Sequence, residues 1–232
     1  MTLRAGTIAV ALLTIDRDAS EVASLSRRLS DDEKQRARRF YFDRDRTRFV
    51  CARGLLRGFL GAELGLPAEK VRFRYGSSGK PSLDVLHASS GIEFNVSHSN
   101  GIGLFVLTRG MAVGADVERI RPLRHGAAVA KRFFAEDECA ALEGLSGDDW
   151  NRAFFRCWTR KEAFIKAVGS GLSYPLRAFS VSVAEEEPAR LLRVEGDATA
   201  SKRFWLTAYP AGPGFEAAIA LLGPPPTIEA LT

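Results

Sequence analysis

The sequence predicts an α+β fold, on three observations. Hydrophobic residues make up 46% and charged residues 26% of the 232-residue chain, the composition of a globular protein with a real core. Two long stretches, one from Ser30 to Gly65 and one from Ala127 to Val168, repeat apolar side chains at helical spacing. Brief apolar runs punctuated by glycine and polar turns lie before, between and after them as strand candidates, and no internal repeat is visible. Length alone allows one domain or two small ones.

Taken in order, Thr7 to Leu13 is apolar and precedes Asp16-Arg17-Asp18 with no small-residue cleavage site, so it reads as a buried first strand and not a signal peptide. Ser30-Asp31-Asp32-Glu33 has capping-box spacing, with a serine hydroxyl for one orphan amide and a glutamate three residues on to reach back; a helix starts there. Beyond Phe42, the spacing of Phe49, Ala52, Leu56, Phe59 and Leu60 predicts a second helix, stopped at Gly65-Leu66-Pro67. Val71, Phe73 and Tyr75 alternate with arginines, a strand pattern running into the turn Gly76 to Pro81. Phe94 to Val96, Ile102 to Leu107 and Val113 to Val117 read as a meandering sheet that closes at Pro122. Helices are predicted over Ala127 to Leu145 and Asp148 to Val168, then strands over Phe179 to Val183, Phe204 to Tyr209 and Phe215 to Leu222. Pro224-Pro225-Pro226 cannot continue a ladder, so a tail is expected after it.

The formal charge is +5, but ten arginines from Arg27 to Arg57 crowd one early stretch. That suits an anionic partner or a solvated helix face. Cys51, Cys139 and Cys157 are odd in number and lack metal or redox spacing, which fits a reducing, cytoplasmic setting. No apolar run approaches the roughly 20 residues that span a bilayer, so no membrane role is expected.

Several residues are suited to chemistry. Asp116 and Glu118, two apart on a predicted strand, project from one face, where paired carboxylates repel unless a cation lies between them. Their alternative is a solvent-facing strand end. Trp158, Glu162 and Lys166 fall at i, i+4 and i+8 on one helix face, with Lys161 alongside; Glu162 and Lys166 alone make an ordinary surface pair. Ser97 and His98 can donate to phosphate oxygens at a strand end, and Lys80 on Gly79-Lys80-Pro81 offers a point charge on a turn; each is equally a plain loop feature.

In this order and spacing, the motifs Val113-Gly114-Ala115-Asp116-Val117-Glu118 and Trp158-x-x-Lys161-Glu162-Ala163-x-x-Lys166 resemble the surfactin-synthetase-activating type of 4′-phosphopantetheinyl transferase. Arg38-Arg39-Phe40-Tyr41, Gly79-Lys80-Pro81, Ser97-His98-Ser99 and Lys131-Arg132-Phe133-Phe134 extend the likeness over nearly the whole chain. Alanine at 115 departs from the branched residue usual there. The resemblance implies two similar α/β subdomains related by a pseudo-twofold, joined near residues 109 to 112, with coenzyme A in the cleft between them. Residues 1–110 would form the coenzyme A-binding part and residues 111–232 the magnesium-binding, catalytic part.

It further implies Mg2+ on Asp116, Glu118 and Glu162, transfer of phosphopantetheine to a serine of an apo acyl or peptidyl carrier protein, and release of 3′,5′-ADP. Lys166 would stabilise the leaving phosphate, and Glu162 doubles as the candidate base. Arg48, Lys80, Ser97 and His98 would grip the nucleotide; Lys161 and Trp158 would line the site. The arginines of 36–46 border the nucleotide or greet an acidic carrier. A cytoplasmic monomer is expected.

Three rival readings stand beside this one. A metal-dependent nuclease leaves Gly79-Lys80-Pro81, Ser97-His98-Ser99 and Trp158 without a role. A nucleic-acid binder is disfavoured because the early arginines have few exposed-looking aromatics among them. A non-catalytic coenzyme A binder is opposed by the intact acids at 116, 118 and 162.

Overall fold

The computed structural model describes residues 3–76, 79, 81–169 and 174–231. The chain divides into two compact units, Met1–Gly110 with Thr227–Thr232, and Met111–Pro226.

The first unit is built on a sheet in which β1 (Thr7–Thr14) pairs antiparallel with β5 (Ile102–Arg109), and β5 pairs antiparallel with β4 (Ile92–Ser99). Against one face lies α3 (Asp43–Leu64), whose Cys51, Leu56 and Leu60 share a core with Ala9, Ala11, Phe94, Phe105 and Leu107. The shorter α1 (Ala19–Ser26) and α2 (Asp31–Arg38) pack on α3, and a small hairpin pairs β2 (Phe73–Tyr75) with β3 (Pro81–Leu83). The capping box at Ser30 forms, with the Ser30 N–H donating to Glu33 at 3.1 Å. The same Glu33 is 1% exposed, accepts from Arg57 Nε at 2.5 Å and faces Arg53 Nε at 3.5 Å. Two of the crowded arginines are therefore core residues one helical turn apart, held by a buried carboxylate, and not a solvated face.

After Pro226 the chain does not trail away. It forms β11 (Thr227–Ala230), parallel to β1 with Thr7 opposite Thr227, which places this segment with the first unit and not with residues 111–226. The prolines end one ladder, and the segment beyond them is free to join another.

In the second unit, β6 (Val113–Arg119), β10 (Phe215–Leu222) and β9 (Phe204–Ala208) form an antiparallel sheet in the order β6-β10-β9. The helix α6 (Gly147–Val168) packs on β6 and β10. Phe164, Ile165, Phe179, Leu206, Ala218 and Ala220 make up its core. The stretch expected to be one helix from Ala127 to Leu145 is two, α4 (Gly126–Phe133) and α5 (Glu136–Leu142), because the backbone extends at Phe134 and Ala135. A second hairpin pairs β7 (Phe179–Val181) with β8 (Leu191–Val194), and α7 (Ala200–Arg203) leads into β9. Each unit thus sets a 22-residue helix against a sheet, mixed in the first unit and antiparallel in the second, and both helices stop at a glycine of positive φ, Gly65 and Gly169. The fold is α+β as expected. Among the described residues, no helix is long and apolar enough to cross a membrane.

Candidate active site

The pattern of exposure along α6 marks the site. From Ala153 to Ala167 every residue is buried except Trp158, Glu162 and Lys166, which are half-buried. With 3.6 residues per turn these three form one stripe, the only side of this helix segment that opens outward. Facing it is β6, brought unusually near by Gly114. An added Cβ there would lie 2.0 Å from the Ala163 carbonyl oxygen and 2.3 Å from the Ala167 nitrogen, so strand and helix backbones meet where only glycine fits.

Two residues along from Gly114, Asp116 is 4% exposed and Glu118 half-buried, on one face of β6. Lys166 reaches across from α6: its Nζ donates to Asp116 Oδ1 at 2.7 Å and to the Ala115 carbonyl at 3.2 Å. Glu118 lies 3.8 Å from Arg121 Nη1. Burial pushes the Glu162 carboxyl above its usual range; Lys166 pulls it back, while Asp116 and Glu118 push it up further. Glu162 therefore feels the charge of both β6 carboxylates, although Asp116 lies 46 positions away along the chain (162 − 116).

Three carboxylates supply the hard oxygen donors that magnesium prefers, and a divalent cation would offset the burial and the like charges that raise Glu162. The donor chemistry fits. As the side chains stand, no group of three His, Cys, Asp or Glu among the described residues is drawn together into a ready-made metal site, and the Lys166 ammonium lies against Asp116.

In the first unit, Arg48 on α3 makes a two-pronged ion pair with Asp16, Nε to Oδ1 at 2.7 Å and Nη2 to Oδ2 at 2.8 Å. Hydrogen bonding to Arg48 holds the Asp16 carboxyl below its usual range, against a smaller effect of burial. The pair lies over the Asn100-Gly101 turn joining β4 and β5, where a Cβ on Gly101 would strike Asp16 Oδ2 at 2.2 Å. Asp16 uses one edge of the guanidinium and leaves Nη1 on the other. Ser97 and His98 are neighbours on β4 and so project to opposite faces; Ser97 is buried and His98 exposed. Lys80 lies outside the described residues.

Comparison with known proteins bears on the same segments. Residues 112–220 match the 4′-phosphopantetheinyl transferase superfamily, and residues 17–108 match the N-terminal part described for 4′-phosphopantetheinyl transferases. The chain is 38% identical over 191 residues to the 4′-phosphopantetheinyl transferase HetI of Nostoc sp., covering 82% of this chain and 80% of the relative. The chain belongs to the 4′-phosphopantetheinyl transferase superfamily. This transferase is also 28% identical over 196 residues to Sfp of Bacillus subtilis, covering 84% and 83% of the two chains. Among solved structures, a holo-(acyl-carrier-protein) synthase from Bacillus anthracis is similar over 48% of this chain and 94% of its own, at 20% identity and a TM-score of 0.40.

Two expectations for the transferase change with the geometry. Lys161 is 1% exposed and does not line an open site. Its Nζ donates to both Glu138 oxygens at 2.7 and 2.6 Å and to the Phe179 carbonyl at 2.8 Å, and it lies 4.2 Å from the Phe179 ring centroid. One position from Glu162 is about 100° round the helix, so Lys161 points into the core of the unit while Glu162 faces out. Its contacts are those of a core residue. Trp158 is on the open stripe, but its indole stacks 6.0 Å from Phe154 and meets Phe133 edge-on, so it packs at least as much as it lines.

Glu138, Asp16 and the close approach at Gly114 were not picked out from the sequence. Glu138 also accepts the Ala135 N–H at 2.8 Å, the return half of a capping box, and the Val181 N–H at 2.8 Å. It ties α5, α6 and β7 together. The only sequence signal for it is the acidic first turn Glu136-Asp137-Glu138.

Proposed function

We propose that this transferase moves the 4′-phosphopantetheine arm of coenzyme A to a serine hydroxyl of an apo acyl or peptidyl carrier protein and releases 3′,5′-ADP, with magnesium on Asp116, Glu118 and Glu162. The observation carrying this reading is that the one open stripe of α6 between Ala153 and Ala167, in a chain of this superfamily, holds Glu162 and Lys166, with Lys166 on Asp116 of β6.

A divalent ion bound there supplies charge neutralisation and alignment for a pyrophosphate. The serine oxygen attacks the phosphorus attached to pantetheine, the bond to the adenosine-bearing phosphate breaks, and the hydroxyl proton passes to a base. Glu162 takes that base role in the proposal, its half-buried carboxyl standing on the open stripe beside Lys166. Lys166 holds positive charge next to the reacting centre, suited to the developing charge on the leaving phosphate. Residues 111–226 carry this chemistry in the proposal. Residues 1–110 carry nucleotide binding, through Arg48, Lys80, Ser97 and His98. The edge of Arg48 that Asp16 does not use suits the nucleotide's 3′-phosphate, and the opposite facing of Ser97 and His98 means that they serve different groups. A cytoplasmic monomer completes the proposal.

The test is incubation with Mg2+, coenzyme A and several apo carriers, with mass spectrometry reading the addition of one phosphopantetheine. The native protein is expected to transfer; Asp116→Ala and Glu162→Gln are expected to lose orders of magnitude in rate while remaining folded. Full activity in either variant removes that residue from the site.

A further inference from the structure

Three consecutive aromatic residues stand in solvent at the junction of α2 and α3: Phe40 is 36%, Tyr41 91% and Phe42 60% exposed. No other exposed large hydrophobics among the described residues form a run of three, and the run corrects the expectation of few exposed aromatics among the early arginines. Arg38, Arg39, Arg44 and Arg46 around it are all exposed. Arg44 and Arg46 are neutralised by Asp45 and Asp43 at 3.3 and 3.1 Å, whereas among the described residues Arg38 and Arg39 have no acidic side chain within ion-pair distance.

The patch is therefore an apolar knob with a net cationic flank. Exposed aromatics next to arginines are the side chains that anchor protein interfaces. We propose that Phe40, Tyr41 and Phe42, flanked by Arg38 and Arg39, are a docking surface for an acidic protein face with an apolar centre, and that its occupant is the carrier protein. This rests on the proposed transfer reaction, which requires a protein as second substrate.

Geometry favours a protein over a single-stranded nucleic acid. Tyr41 and Phe42 meet edge to face at 90°, and Phe40 leans on Phe49 with centroids 5.3 Å apart. The rings offer no parallel series of faces on which successive bases can stack. With Asp43 and Asp45 paired to Arg46 and Arg44, the cationic surplus is limited to Arg38 and Arg39, enough to complement a few carboxylates beside an apolar centre and short of a groove that tracks a phosphate backbone.

The experiment uses the full chain and whichever apo carrier it modifies fastest. Tyr41→Ser/Phe42→Ser is expected to raise KM for the carrier about tenfold or more, with kcat and KM for coenzyme A within twofold. Arg38→Glu/Arg39→Glu is expected to do the same, and to weaken the dependence of carrier KM on ionic strength. Circular dichroism checks that both remain folded, as solvent-facing substitutions should. Unchanged carrier KM in both variants overturns the proposal. So does a rise confined to KM for coenzyme A, which assigns the patch to the nucleotide, or loss of oligonucleotide retention at moderate salt with carrier KM unchanged. If the native protein modifies no carrier, the transfer reading fails first, and that result is separate from all of these.

Discussion

Gly114→Ala tests the site most sharply, because the residue has no functional group to lose. The added methyl would lie 2.0 Å from the Ala163 oxygen, 2.3 Å from the Ala167 nitrogen and 2.8 Å from the Lys166 carbonyl carbon. Carbon and oxygen atoms in close contact lie about 3.3–3.6 Å apart, so β6 and α6 must part locally by over 1 Å, roughly the shortfall at Ala163. All three obstacles are backbone of a helix buried on nearly every side, so no flexible side chain can yield. Overpacking of this kind costs about 1–3 kcal/mol or more. The same separation carries Asp116, two residues on, away from Lys166 and Glu162, and a displacement of about 1 Å at a catalytic group costs on the order of 10²-fold in rate. Thermal melting is expected to drop by several degrees. Turnover, measured well below the new melting point, is expected to fall about 10²-fold with the near-ultraviolet dichroism preserved. Native melting and native turnover together would refute the account of why β6 and α6 meet here. Lost stability with native turnover would show that Asp116 need not be held against α6.

Other outcomes follow from the same geometry. Lys161→Met strands the Glu138 carboxylate in the core and is expected to cost about 3–5 kcal/mol in denaturant unfolding, much of it recovered in Lys161→Met/Glu138→Gln; full stability with lost turnover would return Lys161 to the substrate. Since the Glu162 carboxyl is raised in the fold, the native state binds more protons than the unfolded state between the ordinary glutamate value and the raised one. In metal-free protein its contribution to stability is thus present at low pH and lost as pH rises through that window, and Glu162→Gln is expected to flatten the slope. An unchanged slope would show that Glu162 is not the group responsible. Lys80→Ala is expected to raise KM for coenzyme A with kcat retained, and a large fall in kcat at saturating coenzyme A would move Lys80 toward the reacting bond.

The features legible in the sequence were those written locally. The capping box at Ser30 and the helical spacing of Trp158, Glu162 and Lys166 each depend on residues within a few positions of one another, and both appear in the structure. Strand β11 was hidden because the triple proline signals where a ladder ends and says nothing of which partner the next segment finds, 220 positions away at Thr7 (227 − 7). The helix expected over 127–145 divides because Phe134 and Ala135 extend the chain so that Phe134 reaches the core, a tertiary demand that outweighs helical spacing.

The two arginine-rich readings divide for the same reason. Composition weighed the arginines together, as a solvated face or an anion-binding one, whereas the fold sorts them. Arg53 and Arg57 are drawn inward because Glu33 is buried beside them, and Arg48 is held by Asp16 against Gly101, a turn residue of positive φ. Arg38 and Arg39 remain outside at the C-terminal end of α2, on its solvent side, just before the exposed Phe40 to Phe42. Lys161 and Glu162 make the point at a single step along the chain. Adjacent in sequence and both suited to chemistry by residue type, they differ by about 100° round α6, and that angle alone sends one to anchor the core while the other faces the acids of β6.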